Sequence, residues 1–375
     1  MRVVVLGGGF GGLIAAYEVR KGLPSRHEVF LVSNAGFFVF RPSLPWVVLG
    51  SRRPHQITAD LAPALHRRGI SFVQATVERI DPERRRVMTT RGDIEYDYLV
   101  VALGAHLDRE AVPGLDPHTD CIMWLDDALR VREKLERFAG GDIAVLEVQG
   151  TPIPCAAYEI ALGLDAYLRR RGLREKTRIH FLTHAKAPFD VGGERASYLI
   201  ARELSKRGIN WRVNAPLARV EKGWVRTEDG QAFRADLILA FPPYRGTDAV
   251  LRSGSLADER GFIPCGATME STRYPDVFAV GDAVAFAGPK SGRMAELQAR
   301  VAARNVVSRI TQRGRYRTYQ PHLMCALDMG AGKGLFAYRR ETAGQGPAFF
   351  STAVTGRWPV MMKAAVEKYF LAVHF

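Results

Sequence analysis

The chain of 375 residues is long enough for about two domains, and its apolar fraction of 47% is typical of a globular protein with a sizeable core. The sequence contains no apolar run of about 18 residues, so no membrane-spanning helix is predicted, and a strand at the start leaves no room for a signal peptide. The net charge of +14 favours anionic partners such as phospholipid or an anionic substrate. The arginines are scattered rather than grouped, which argues against nucleic acid.

The chain opens with the pattern of a β-α-β unit, in which strand, helix and second strand are predicted at residues 3–5, 13–21 and 27–32. The first turn reads Gly7-x-Gly9-x-x-Gly12. In such a turn Gly7 allows the sharp bend, Gly9 lets a diphosphate approach the backbone, and Gly12 lets the helix pack on the strand. Ser33 and Asn34 follow the second strand, where dinucleotide sites bind ribose hydroxyls. The pattern predicts a dinucleotide site without distinguishing FAD from NAD.

The next segment is predicted to be a loop followed by short strands. Pro42 and Pro45 fix the loop over residues 37–46. Its aromatic side chains either plug the core or form a wall beside a flavin or quinone. Further elements are short strands at 70–73, 77–80 and 86–89, an apolar strand at 96–103, a linker at 107–114 and an amphipathic helix at 124–138.

A second unit repeats this layout, with strands at 143–148, 177–182 and 209–213 and helices at 156–171 and 193–206. Its first turn, residues 149–155, has no G-x-G-x-x-G pattern. Pro152 and Pro154 have no N–H group to offer a phosphate. The second unit therefore has the shape of a dinucleotide binder without its chemistry, which argues against NADH or NADPH as substrate.

The third part of the chain returns to buried strands, at 236–239 and 277–280. The second of these ends at Gly281 and Asp282, and an aspartate at the carboxyl edge of a sheet can reach a ligand hydroxyl in the crevice. A helix predicted over 294–310 points its N-terminus toward the same crevice, where its dipole stabilises an anion.

The last part of the chain is a strand-like run from Cys325 followed by a helix over 358–375. One helical stripe contains Met362, Val366, Phe370 and Val373, and another contains Lys363, Glu367 and His374. Two interpretations stay open. The helix either docks on the body or lies in a membrane interface, with Trp358, Tyr369 and Phe370 as interfacial aromatics.

The motifs resemble those of sulfide:quinone oxidoreductases, flavoproteins of the disulfide-reductase-like superfamily with two dinucleotide-binding domains. The similar segments are residues 7–12, 33–34, 40–46, 96–104, 280–282 and 290–296, together with the spacing of Lys363, Glu367 and Tyr369. The resemblance implies an α/β fold with an FAD domain, a degenerate NAD-like Rossmann domain and a C-terminal membrane-associating region. The implied boundaries are 1–106 and 263–318 for the FAD domain, 107–262 for the second domain and 319–375 for the C-terminal region.

The same resemblance implies the site residues. Cys155 and Cys325 match the redox pair, Cys121 the third cysteine, and Glu296 is a candidate for proton handling. Cys265 matches nothing catalytic and is expected to be structural. The implied FAD contacts are Gly7, Gly9, Phe10, Gly12, Ser33, Asn34, Arg41, Pro42, Val77, Gly104, Gly281, Asp282 and Lys290. The implied quinone contacts are Pro45, Lys363 and Tyr369.

The four cysteines form neither a C-x-x-C motif nor a zinc spacing, so no metal is predicted. Thiol chemistry fits a basic protein, which concentrates the small hydrosulfide anion. Attack of hydrosulfide on a bridged cysteine pair releases a thiolate whose electrons pass to the flavin and on to a quinone in the membrane. His322 either lowers the pKa of Cys325 or is an ordinary loop histidine.

The chain also departs from the resemblance. Asp127 stands where some members carry a histidine, residues 186–193 contain no histidine, and Val366 replaces a quinone-facing aromatic. The predicted function is a peripheral membrane sulfide:quinone oxidoreductase. The alternatives are a type II NADH:quinone oxidoreductase, the flavin subunit of a flavocytochrome sulfide dehydrogenase, and a non-catalytic FAD scaffold. The oligomeric state, a homo-oligomer included, stays open.

Overall fold

The computed structural model describes residues 1–152, 154–286, 288–341 and 349–375. Ile153, within the predicted second turn, lies outside the described residues, as does Ala287, next to the predicted Gly281-Asp282 segment. The description below refers to the described ranges.

The strands follow one another along the chain as short elements. They are β1 Arg2–Leu6, β2 Glu28–Ser33, β3 Phe37–Val39, β4 Thr58–Asp60, β5 Ser71–Gln74, β6 Val77–Asp81, β7 Arg86–Thr89, β8 Ile94–Glu95, β9 Tyr98–Val101, β10 Ala105–Leu107, β11 Gly141–Glu147, β12 Thr177–Thr183, β13 Asn210–Arg212, β14 Leu217–Glu221, β15 Trp224–Thr227, β16 Ala232–Arg234, β17 Leu237–Phe241, β18 Tyr244–Gly246, β19 Val277–Ala279, β20 His322–Asp328, β21 Gly334–Glu341 and β22 Phe349–Gly356.

The helices range from single turns to five turns. They are α1 Phe10–Gly22, α2 Leu44–Val48, α3 Leu61–His66, α4 Leu115–His118, α5 Leu125–Arg137, α6 Pro154–Arg170, α7 Glu194–Lys206, α8 Asp248–Leu251, α9 Gly292–Thr311 and α10 Trp358–His374.

The first layer is a parallel sheet in the order β19-β9-β1-β2-β5. Val3, Val4 and Val5 are fully buried in β1 because helices cover a parallel sheet on both faces. The β1-α1-β2 unit predicted from the opening residues is confirmed, with α1 starting at Phe10. Helix α1 packs against α9, so the beginning of the chain and its third part build one domain core.

The second layer repeats the first. A four-stranded parallel sheet has the order β13-β12-β11-β17, and each parallel sheet is accompanied by a three-stranded antiparallel meander, β6-β7-β8 in the first case and β14-β15-β16 in the second. The predicted α/β class with two Rossmann-like units is therefore confirmed. The residue boundaries proposed between the domains stay a prediction.

The segment at residues 37–46 is more regular than the predicted loop. It contains strand β3, a 3₁₀ turn at Arg41–Ser43 and the start of helix α2. The prolines do not prevent these turns, because Pro42 and Pro45 lie at first-turn positions where a helix needs no N–H donor. Phe38, Phe40 and Trp46 are buried, so the aromatics pack inward, the first of the two alternatives.

The C-terminal part is an antiparallel sheet, β20-β21-β22, on which α10 packs. Strand β20 begins three residues before Cys325, which therefore lies inside the strand rather than at its start. Within the described ranges, no helix combines the length and the apolar character needed to span a bilayer.

The face of α10 that meets the body differs from the predicted apolar stripe. Of that stripe only Phe370 is buried, whereas Val366 and Val373 are about half exposed. Lys363 and Glu367 point inward instead, with exposed fractions of 6% and 2%. The prediction that the apolar stripe forms the docking face is wrong, because ion pairs with the body offset the burial of these two charges.

Candidate active site

The glycine-rich turn forms a cradle at the carboxyl end of β1. A Cβ atom on Gly12 would lie 1.8 Å from the Gly7 carbonyl oxygen, and one on Gly7 would lie 2.2 Å from the Ala102 oxygen, so both positions require glycine. A Cβ on Gly9 would meet no atom within 4 Å. Helix α1 begins here without a capping side chain or an acidic residue in its first turn. Its free N–H groups and the open space above Gly9 fit a diphosphate.

Further residues of the predicted cofactor site lie at the carboxyl ends of neighbouring strands. Ser33 ends β2, and Asn34 follows it with an exposed side chain. Gly104, with a φ of +73°, follows β9, and a Cβ there would meet no atom within 4 Å. Val77 begins β6 and is nearly buried. Because the strands are parallel, these ends meet at the edge where open α/β sheets bind ligands.

A cluster of charged residues lies beside this cradle. The Arg41 guanidinium stacks 4.0 Å from the Trp124 ring centroid, and burial lowers the pKa of Arg41, although Asp282 opposes the shift. Burial raises the pKa of Asp282 against Lys290 and Arg41. Lys290 Nζ donates to the carbonyl oxygens of Asp282 and Val284 at 2.9 and 2.6 Å. Burial lowers the pKa of Lys290 to about 8.

Phe10 connects the cradle to the C-terminal helix. Its ring centroid lies 5.0 Å from that of Phe38, 5.4 Å from that of Phe40 and 4.9 Å from that of Phe370. Pro42 lies in the 3₁₀ turn directly after this aromatic group. The first turn of α1 is therefore packed against α10.

The structure brings Cys155 and Cys325 together. Cys155 lies in the first turn of α6, Cys325 lies in the middle of β20, and their side chains are hydrogen-bonded as half-buried thiols. The hydrogen bond with Cys155 is the largest cause that raises the pKa of Cys325 well above its usual range, followed by burial, and Glu159 adds to it. Lys363 acts in the opposite direction.

His322 does not act on this thiol pair. It lies in strand β20 rather than in a loop, and its Nδ1 is 3.3 Å from the Gln320 carbonyl oxygen. Successive strand residues point to opposite faces, so positions 322 and 325 lie on different faces of the sheet. The suggestion that His322 lowers the pKa of Cys325 is wrong, since the pKa of Cys325 is raised.

The other cysteines are remote from reactive environments. Burial raises the pKa of Cys121 to about 12 against hydrogen bonds from the Met123 and Ile122 backbone, and the side chain packs with Tyr244 and Phe262. Burial also raises the pKa of Cys265 to about 12. Reactive thiols are those that ionise readily, so both residues have the character of core residues.

Glu296 lies on α9, away from the contacts of the thiol pair. Its carboxylate oxygens are 2.8 Å from Arg293 Nη1 and 3.1 Å from Arg300 Nη2. Arg300 also pairs with Glu18 of α1, which locates Glu296 at the packing edge of α1 and α9. Its role in proton handling stays a prediction.

Buried charges of α10 reach the thiol pair from the other side. Lys363 pairs with Glu159, which lies one helical turn after Cys155, and its Nζ is 4.6 Å from the Trp46 ring centroid. Glu367 accepts hydrogen bonds from Ser43 and Arg52. Pro45 is buried in α2 beneath this group, whereas Tyr369 is 68% exposed on the opposite side of α10.

The turn after β11 is occupied by intramolecular contacts. The Gln149 side chain bonds the backbone of Leu217 through both of its polar atoms, at 2.9 and 3.1 Å. The Pro152 carbonyl accepts the Lys290 backbone N–H at 2.9 Å. The described residues of this turn are therefore arranged for packing between domains, as the absence of the glycine motif predicted.

Comparisons with known proteins fit this arrangement. Residues 1–304 match the family model of the pyridine nucleotide-disulphide oxidoreductases. The sulfide-quinone reductase of Aquifex aeolicus is 31% identical, in an alignment that covers 98% of this chain and 90% of that protein. The chain belongs to the sulfide-quinone reductase family.

Solved structures agree with this family assignment. The crystal structure of the Aquifex aeolicus sulfide:quinone oxidoreductase superposes with a TM-score of 0.92 at 28% identity, covering 100% of this chain and 91% of that one. NDH2 from Plasmodium falciparum, solved in complex with NADH, has a TM-score of 0.74 at 13% identity over 97% and 93% of the two chains, and shares the fold alone.

FAD is the cofactor of the sulfide-quinone reductase family, and the glycine cradle with its uncapped helix fits the diphosphate of that cofactor. The sequence analysis did not identify Glu159, Asp328 or Trp46 as parts of the site. The only sequence signal for Glu159 is its position four residues after Cys155, which places both side chains on one face of α6. Trp46 Nε1 donates to Asp328 at 2.7 Å, a contact that depends on the fold.

Proposed function

We propose that this protein is an FAD-dependent sulfide:quinone oxidoreductase, which oxidises hydrosulfide to polysulfide or sulfur and reduces a membrane quinone. The contact between the Cys155 and Cys325 thiols carries the proposal, because a pair of adjacent thiols is the group that hydrosulfide chemistry requires. The relationship to the Aquifex aeolicus sulfide-quinone reductase supplies the substrate and the acceptor.

In the proposed reaction, Cys155 and Cys325 are first oxidised to a disulfide. Hydrosulfide attacks the Cys155 sulfur, a persulfide forms on Cys155, the bridging S–S bond breaks, and Cys325 leaves as a thiolate. Bound FAD supplies the acceptor for the two electrons and passes them to the quinone. Cys155 therefore carries the growing sulfur chain, and Cys325 is the thiol that faces the cofactor.

The proposed cofactor contacts are distributed over the sheet edge. Gly7, Gly9, Phe10 and Gly12 hold the diphosphate at the start of α1, with Arg41 and Pro42 beside it. The polar contacts for ribose and ribityl hydroxyls are Ser33, Asn34, Gly281 and Asp282. Val77, Gly104 and Lys290 complete the set, in the positions described above. This arrangement supports the division into FAD domain, second domain and C-terminal region at residues 106, 262 and 318.

The quinone and the membrane belong to the C-terminal region in this proposal. The side of α10 that faces away from the body is apolar, with Met361 and Tyr369 69% and 68% exposed. Arg357 and Lys368 are exposed on the same helix. An apolar face with basic neighbours supports peripheral binding to an anionic membrane surface. Pro45, Lys363 and Tyr369 are the proposed quinone contacts.

A type II NADH:quinone oxidoreductase is the alternative that shares the fold. Such an enzyme needs a turn that binds the nicotinamide diphosphate, and the turn after β11 is occupied by the Gln149 and Pro152 contacts. This observation favours hydrosulfide over NADH as the electron donor.

The test is anaerobic stopped-flow mixing of the FAD-loaded protein with sulfide or with NADH. We expect sulfide to bleach the flavin absorbance, a short-chain quinone to restore it, and NADH to leave it unchanged. The Cys325→Ser variant loses sulfide bleaching by about three orders of magnitude, the scale found when a nucleophile is removed.

Cys265→Ser is the matched control, since it removes another thiol from the same protein and leaves sulfide bleaching unchanged. Bleaching by NADH in place of sulfide would support the NADH:quinone alternative. Unchanged sulfide bleaching in Cys325→Ser would reject the proposed role of the thiol pair.

A further inference from the structure

The buried pocket around the thiol pair contains an ion pair that the proposed reaction has not used. Glu159 lies one helical turn after Cys155 and is 4% exposed, and Lys363 of α10 is 6% exposed. The two side chains form a salt bridge. Both charges lie out of contact with water, which is costly unless the charges are balanced.

The charged and titratable groups that face Glu159 come from three elements. The Asp328 backbone N–H of β20 donates to its carboxylate, and the Asp328 carboxylate itself accepts from Trp46 Nε1 and the Gly330 backbone N–H. Cys325 lies on the same strand and Cys155 on the same helix as Glu159. From α10 the facing cation is Lys363. Behind it, Arg52 pairs with Glu367 and stacks on Trp46.

This set leaves room for only one more negative charge beside Lys363. Asp328 is already negative, and the Arg52–Glu367 pair is balanced within itself. Glu159 as a carboxylate and Cys325 as a thiolate would together place two further negative charges near a single lysine. Because Coulomb repulsion is strong where water is excluded, the two groups exclude each other's ionisation.

We propose that Glu159 and Lys363 set the protonation state of the thiol pair, such that Glu159 takes up one proton as the Cys325 thiol loses one. The S–H bond breaks, an O–H bond forms on the carboxylate, and the charge of the pocket is unchanged. Lys363 then faces the thiolate. The inference deepens the proposed function, on which it rests for its role in turnover.

The electrostatic environment agrees with this exchange. Burial raises the pKa of Glu159 to about 7, although Lys363 opposes the shift. Glu159 contributes to the raised pKa of Cys325, and Lys363 lowers it. Since Lys363 belongs to α10, the acidity of the thiol pair depends on the docking of the helix that is proposed to meet the membrane.

The first test measures the alkylation of Cys325 by iodoacetamide as a function of pH in the dithiothreitol-reduced holoenzyme, with peptide mass spectrometry as the readout. We expect Glu159→Gln to move the midpoint to lower pH by about one unit, which is a tenfold faster reaction below the midpoint. Lys363→Met moves it to higher pH. Glu203→Gln removes another buried carboxylate that pairs with a lysine, Lys333, and leaves the midpoint unchanged.

The second test uses infrared difference spectroscopy on the unsubstituted holoenzyme and therefore does not depend on the folding of a variant. A protonated-carboxyl band grows as the thiol S–H band disappears, if one proton moves between the two groups. Loss of the S–H band without a carboxyl band overturns the inference, as does a midpoint that Glu159→Gln leaves in place or raises. Neither test requires sulfide turnover, so absence of sulfide bleaching rejects the proposed function separately.

Discussion

At the scale of single residues, backbone contacts rather than side chains define the cofactor cradle. Gly12 touches the carbonyl of Gly7 closely enough that no Cβ fits, whereas Gly9 opens onto free space. The first position is therefore required by the fold and the second by the cofactor. The two glycines of one motif have different physical reasons, and substitutions at them should have different consequences.

The Gly12→Ala variant is expected to lose about 1–3 kcal/mol of stability, the usual cost of overpacking, and to contain less FAD after purification. Gly9→Ala keeps its apoprotein melting temperature and loses FAD affinity, because its methyl group occupies the space of the diphosphate. Gly266→Ala is the control, with its nearest neighbour, Thr268 Oγ1, at 3.8 Å. Melting temperature and flavin content are measured for all three, and equal apoprotein melting temperatures for the first two variants would contradict this assignment.

At the scale of elements, α10 presents charged residues to the body and apolar residues outward. Lys363 and Glu367 pair with Glu159 and Arg52, while the outward side carries exposed apolar residues, namely Trp358, Met361, Val366, Tyr369 and Val373. Charges inside and apolar side chains outside are the reverse of an ordinary surface helix. The outward side is the surface that a bilayer interface would cover.

We expect Met361→Glu combined with Tyr369→Glu to weaken binding to vesicles of anionic phospholipid by at least about tenfold, since each side chain contributes on the order of 1.5 kcal/mol or more when buried. Sedimentation with vesicles measures the effect. Trp224→Glu replaces an exposed aromatic on β15 and leaves vesicle binding unchanged. Equal losses in both variants would mean that any added negative charge weakens binding, and would reject α10 as the membrane contact.

At the scale of the whole molecule, the C-terminal region connects the two Rossmann-like domains. Phe370 packs on Phe10 of the first domain, and Lys363 pairs with Glu159 of the second. The β20–β21 hairpin is tied to α7 through Glu203, whose side chain bonds both Lys333 and Arg207. Burial raises the pKa of Glu203, but these hydrogen bonds outweigh it, so the pKa lies below its usual value.

A lowered pKa in the folded state means that the Glu203 contribution is present above the pKa of the unfolded chain and disappears as pH falls through the folded value. Glu203→Gln is therefore expected to lower the free energy of unfolding by about 2 kcal/mol at neutral pH and by less in acid. Denaturant titrations at both pH values measure the difference. Glu133→Gln, which alters an exposed helix pair, is the control, and a Glu203 effect that grows in acid would contradict the sign.

The sequence by itself determined the parts of this protein that depend on local chemistry. The glycine spacing after a β-branched strand specified the cradle, because only glycine permits these backbone contacts. The repeated strand-helix pattern specified two parallel sheets, and the prolines at 152 and 154 specified a turn without phosphate donors. The resemblance named Cys155 and Cys325 together, which no spacing could do.

Only the tertiary structure decided which distant groups meet. It placed Cys155 against Cys325, put Lys363 beside Glu159, and separated His322 from the thiol on its own strand. It also reversed the expected docking face of α10. Helical periodicity shows which side chains share a face, but the partners available in the body decide which face is buried. Here those partners were carboxylate and guanidinium groups from α6 and from the segment after α2, which the local sequence of α10 does not encode.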